Sequence, residues 1–108
     1  MKMSQIQLYF GTQVADKPDR TGYTIKPEEF MEFFDQWILP NVPGATLVEG
    51  IGMYAGDFQV YRELAIIVTL ILPVDFDKDK ILGFREEYCR RFSQESVMQV
   101  VSEVDVDF

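Results

Sequence analysis

The sequence predicts an α+β fold: one four-stranded antiparallel sheet with two helices packed on one of its faces. Three observations lead there. The apolar period switches between two residues and three-to-four in the order strand, helix, strand, strand, helix, strand. Residues 64–72 read LAIIVTLIL, without a charge and closed by Pro73, which fits a central strand apolar on both faces better than a helix. The chain has 108 residues, 47% of them hydrophobic, enough for one core and too few for two, so residues 1–108 are expected to form a single domain.

Each element has its own signature. Ile6, Leu8 and Phe10 alternate with Gln5, Gln7 and Tyr9, the period of a first strand. Residues 11–23 carry Gly, Pro, Asp, Lys and Arg without a period and read as a long loop. The first helix is expected to begin at Pro27, with Glu28 and Glu29 near its positive end. Phe30, Phe33, Phe34, Trp37 and Ile38 form its broad apolar face, and it must stop near Leu39, before Pro40 and Pro43-Gly44.

From Ala45 the period returns to two. Leu47, Glu49, Ile51 and Met53 share one face of strand two; Thr46, Val48, Gly50, Gly52 and Tyr54 share the other. Two glycines on one strand face mark either a twist or bulge, or the close approach of a ligand or another backbone. Residues 55–61 read as a loose hairpin connection, and Arg62-Glu63 lead into the central strand. Asp75 or Asp77 is placed to cap a second helix, with Ile81, Phe84, Tyr88 and Phe92 inward and Arg85, Glu86, Glu87, Arg90 and Arg91 in solvent. In strand four, Met98, Val100, Val104, Val106 and Phe108 alternate with Val97, Gln99, Val101, Glu103, Asp105 and Asp107.

This order is the ferredoxin-like βαββαβ arrangement, with strands one and three in the centre. Further residues carry a resemblance: Phe10-Gly11, the aromatic first helix ending before Pro40, Gly50-x-Gly52-x-Tyr54, Arg62-Glu63, and above all Tyr88-x-x-x-Phe92-x-Gln94-Glu95-Ser96-Val97. On these the chain resembles the bacterial domain of unknown function 3574 over nearly its whole length. The resemblance implies a small α+β domain and no particular activity. Leu64 departs from it, since a small polar residue is more usual there.

Composition narrows the function. Eighteen acidic against ten basic residues give a net charge of −8, which opposes binding to nucleic acid or anionic lipid. There is no histidine and one cysteine, so a sulfur or imidazole metal cluster is excluded and Cys89 has no histidine to activate it. Glu103, Asp105 and Asp107 lie about 6.8 Å apart along a strand face, too wide for one ion, so no metal and no cofactor is expected. A chain without a long apolar run or a signal-like N-terminus is expected to be soluble, cytoplasmic and free of the membrane.

The second apolar face of the central strand needs a cover. Homodimerisation sheet to sheet as a dimeric α+β barrel is one solution, through Ala65, Ile67, Ile71, Val97 and Val101. A small-molecule site on the same face is the other, with Gln7, Tyr9, Gly50, Gly52, Tyr54, Thr69 and Gln99 lining it and Arg62 and Glu95 as a polar rim for an anionic ligand. An enzymatic version would draw its base from Glu49, Glu63 or a buried tyrosine, and the sequence singles out no catalytic residue. The bland alternative has Gln94-Glu95-Ser96 serving only the turn into strand four.

Overall fold

The computed structural model describes residues 1–13, 23–58 and 60–108. It contains β1 (Lys2–Gly11), α1 (Pro27–Phe33), β2 (Thr46–Ala55), β3 (Val60–Leu72), α2 (Lys78–Phe92) and β4 (Met98–Asp105). The four strands form one antiparallel sheet in the order β2-β3-β1-β4, the ferredoxin-like α+β topology, with the apolar third strand central. Most of the loop expected at residues 11–23 lies outside the described residues, as does part of the hairpin connection.

Register follows side-chain size and polarity. Even-numbered residues of β1 and β3 turn towards the helices, and Ile6, Leu8, Phe10, Val68, Leu70 and Leu72 are fully buried there. Tyr88 of α2 is the hub of the core. Its ring lies 4.7 Å from Phe10, 5.2 Å from Phe33, 4.8 Å from Phe92 and 6.0 Å from Phe30, mostly edge to face. Asp77 caps α2 by accepting the Asp79 N–H at 2.9 Å.

Four details differ from the sequence reading. The first helix continues past Phe33 as a π turn (Phe34–Ile38) and a 3-10 turn (Leu39–Asn41). Pro40 has no N–H and would press on the carbonyl a turn earlier; the widened turn, in which the Leu39 N–H donates to Phe34, relieves both. It also rotates Trp37 off the apolar face to 37% exposure. β3 begins four residues early, at Val60, because Val60, Tyr61 and Arg62 pair with Ala55, Tyr54 and Met53.

The central strand is buried on one face only. Its odd-numbered side chains, apart from the small Ala65 and the half-exposed Tyr61, are partly rather than fully buried, and Leu64 on the helix side is 54% exposed. The faces of β4 are the reverse of the expected ones. Leu8 pairs with Gln99 and Ile6 with Val101, so both side chains turn to the helix side, while Met98 and Val100 join Tyr9 and Gln7 on the open face. Val97, just before the strand, is 1% exposed in the core. Arg85 explains this phase: it is not in solvent but bridges α2 to β4, donating to the Val97 carbonyl at 3.0 Å and to Gln99 Oε1 at 3.2 Å.

The sheet is longer than its helical cover. β3, with 13 residues, spans about 44 Å, whereas α2, with 15, spans about 22 Å. The β2–β3 hairpin therefore projects beyond the helices, giving extents of 47 × 29 × 22 Å.

Two stability predictions follow from these contacts. Tyr88→Phe keeps the ring packing but removes the hydrogen bond to the partly buried Gly11 carbonyl, which the phenol reaches at 2.5 Å; urea unfolding should show a loss of about 0.5–1.5 kcal/mol. Ser93 closes α2 in the left-handed region at φ 54°, which suits glycine better. Ser93→Gly should stabilise by about 0.5–1 kcal/mol in the same assay, and a loss would show that the serine side chain holds the turn.

Candidate functional site

Where β1 runs out, three segments distant in sequence converge. Gly11 ends β1 and its carbonyl accepts the Tyr88 hydroxyl. Beyond it, Thr12 Oγ1 donates to the Leu64 carbonyl at 2.7 Å, and the Gln13 N–H donates to Glu63 Oε2 at 3.2 Å. The left-handed Ser93 turns the chain out of α2 so that Gln94 Nε2 donates to the Gln13 carbonyl at 2.7 Å. Glu95 and Ser96 follow, beside the same end of the sheet.

Gly11 is required by this convergence. A β-carbon there would lie 2.8 Å from Glu63 Oε1 and 3.1 Å from Gln94 Oε1. The absent side chain is the space that the carboxylate and the amide occupy. Among the described residues no cation pairs with Glu63; its Oε2 accepts from the Gln13 N–H, and the residue borders a cavity.

The cavity is an open trough of about 1110 Å³ on the uncovered side of the sheet. Its floor is Tyr9, Ala65, Ile67 and Met98, its acidic end is Glu63 with Gln94 and Glu95, and its far wall is the hairpin. Consecutive residues 50–53 and 61–63 all border it, and neighbours on a strand point opposite ways, so backbone forms part of that wall. Gly50 and Gly52 are what expose it. Among the described residues Glu63 is the sole charged side chain that strand alternation places on this face.

The candidates read from sequence separate accordingly. Tyr9, Gly50, Gly52, Arg62 and Glu95 border the trough, together with Ala65 and Ile67, which had been assigned to a dimer interface. Gln7, Thr69 and Ile71 share the open face but lie further along it, in register with one another or with Gln5. Tyr54 is placed by its backbone opposite Tyr61. Val97, Gln99 and Val101 are removed from the open face by the reversed phase of β4. Arg62 alternates with Glu63, so its side chain leaves the sheet on the helix side. The trough residues that sequence reasoning missed are Gly11, Gln13, Ile51, Met53, Tyr61 and Met98; the Phe10-Gly11 pair was the one available signal.

Two groups are set aside as reactive centres. Burial, reinforced by the charge of Glu63, pushes the Tyr88 phenol far above its ordinary range, so it remains a neutral donor. Burial also raises the Cys89 thiol, only partly opposed by Arg85, and Cys89 packs against the core. Among the described residues no group of carboxylates and sulfur is placed to hold a metal ion, and no helix is long and apolar enough to cross a membrane.

The fold and the trough define a ferredoxin-like α+β domain with a ligand-sized depression on the open face of its sheet. The chain belongs to the family described as Protein of unknown function (DUF3574), whose model matches residues 5–108. No curated protein matches it. Among solved structures it is similar to a phage SAM lyase in its apo state, with 25% identity over 94% of this chain and 81% of that one and a TM-score of 0.63. The phage SAM lyase in complex with S-methyl-5'-thioadenosine gives 22% identity, the same coverage and a TM-score of 0.65. The B. subtilis GlnK–ATP complex gives 12% identity over 95% of this chain and 82% of that one, with a TM-score of 0.51.

Because the atoms crowding Gly11 are the ends of flexible side chains, Gly11→Ala should leave the melting temperature within a few degrees of the parent while displacing Glu63 and Gln94. A crystal structure or the shifted NMR signals of Gln13 and Gln94 would register the displacement; unaltered signals would show that the site does not depend on this contact.

Proposed function

We propose that the trough binds a small nucleoside-like ligand carrying positive charge, of the S-adenosyl sulfonium class, and that further copies of the chain cover the open face around it. The observation that carries this reading is Glu63, which among the described residues has no cationic partner and stands at the end of an otherwise uncharged face, with Glu95 also bordering the trough. A sulfonium placed there gains attraction from both groups in a partly desolvated setting. Tyr9 and Tyr61 offer aromatic surface, and the bared backbone at Gly50 and Gly52 offers amide and carbonyl groups to a purine edge.

The likeness to the phage SAM lyase supports the ligand class. A nucleoside triphosphate, the ligand class in the GlnK–ATP complex, suits the trough less well: several phosphate charges would meet two carboxylates, with Arg62 as the one cation among the described residues bordering the cavity. The sheet-to-sheet homodimer expected from sequence remains part of the proposal only in that a second copy covers the face. A cytoplasmic setting suits both a metabolite of this kind and the free thiol of Cys89.

Titration calorimetry of the purified chain tests the reading. S-adenosylmethionine should bind and ATP should not; binding of ATP alone would overturn the proposal, as would silence with both. Glu63→Gln should weaken S-adenosylmethionine about 10- to 100-fold, since about 1.4 kcal/mol corresponds to each factor of ten, while the uncharged S-methyl-5'-thioadenosine should change less than about threefold. Chromatography of the same incubation reads turnover: release of the thioadenosine would add catalysis to binding.

A further inference from the structure

The molecule carries a second exposed apolar patch, on the opposite side of the same sheet. Where the β2–β3 hairpin outruns the helices, strand alternation places Ile51, Met53, Val60 and Leu64 on the helix side, with no helix over them. Ile51 is 69% and Leu64 54% exposed, and Phe58 at the hairpin tip is wholly exposed. Arg62 sits among them, in register with Met53, and among the described residues it has no acidic partner. The open face is its complement: apolar at Ile67, Met98 and Val100, and among the described strand residues charged only by Glu63.

We infer that this hairpin wing docks on the open face of a second copy of the chain, head to tail, and that the contacts close into a ring larger than a dimer. Two-fold pairing of open faces leaves the wing in water and brings Glu63 no cation. The wing and the open face look out of opposite sides of one sheet. One neighbour cannot sit on both, so each copy needs two; a repeated head-to-tail contact gives a ring or an open filament, and the ring is the form that leaves no wing or face uncovered at its ends. The docked wing delivers the neighbour's guanidinium to the acidic end of the trough. This deepens the ligand reading above, because the site then has its carboxylates from one copy and its cation, suited to an amino-acid carboxylate, from the next.

Native mass spectrometry and a mixing experiment decide it. The unmodified chain should appear as one closed species larger than a dimer; a dimer or a monomer overturns the inference. Leu64→Asp on the wing and Met98→Asp on the open face both alter side chains more than half exposed, and circular dichroism should confirm folding. If Leu64→Asp fails that check, Met53→Asp takes its place. Each variant alone should be monomeric, with self-association weakened at least about 100-fold by an unpaired charge in the contact. Mixed in equal amounts they should form a one-to-one complex, since one retains an intact face and the other an intact wing. An assembled wing variant, or a mixture that stays monomeric, overturns the inference. The ligand reading fails separately: a ring that binds no S-adenosylmethionine refutes that reading alone, and a monomer that binds it refutes the ring alone.

Discussion

The contact on which both core and site depend is the hydrogen bond from the Tyr88 hydroxyl to the Gly11 carbonyl. A buried phenol must find an acceptor, and the ring that carries it is locked among Phe10, Phe30, Phe33 and Phe92. The hydroxyl leaves that aromatic cluster towards the end of β1. Helix packing is thereby tied to the position of one strand-terminal peptide. On the other side of that peptide the missing side chain of Gly11 admits Glu63 and Gln94, so the same residue is held by the core and makes room for the site.

The helix that supplies Tyr88 also supplies Gln94. With Ser93 in the left-handed region the chain turns back at once, and the amide of Gln94 reaches the Gln13 carbonyl instead of extending the helix. β1, β3 and the end of α2 are thus joined at one corner by backbone and side-chain hydrogen bonds, which gives Glu63 a fixed location without a salt bridge. Fixing a carboxylate by neutral donors leaves its charge available to a ligand, whereas an arginine partner would have consumed it.

Element order, sheet order and the inward faces of β1, β3 and α2 were legible because helix and strand periods differ and each buries one clear apolar set. β4 was misread for a physical reason. The usual inference runs from apolar to helix-facing, but here the open face is apolar too, and the helix side of this edge strand is served by Val97, by Gln99 under Arg85 and by solvated acids. Arg85 could not be distinguished from its solvated neighbours by spacing. Trp37 was misplaced because a 3.6-residue period was assumed through Pro40, whose missing N–H widens the turn. The trough was half legible: glycines alternating on β2 announced themselves, but the meeting of Gly11, Glu63 and Gln94 is tertiary, set by registers that no local pattern encodes.

The mismatch of lengths ties these strands of argument together. Thirteen residues in a strand reach about twice as far as fifteen in a helix, so a sheet with this β3 must outrun its cover. A projecting hairpin in a solitary protein is expected to be polar on both sides, since neither side is buried. Here the helix side keeps Ile51, Met53, Val60 and Leu64 and the open side keeps glycine, tyrosine and a lone glutamate. Apolar surface left exposed among the described residues has a free-energy cost that burial against another surface removes. Glycines at the base of the same hairpin thin the wall between that surface and Glu63, so whatever rests on the hairpin also borders the trough. In the proposed assembly, contact at the wing and occupancy of the trough would alter the same few residues between Gly50 and Glu63, so geometry would couple the two.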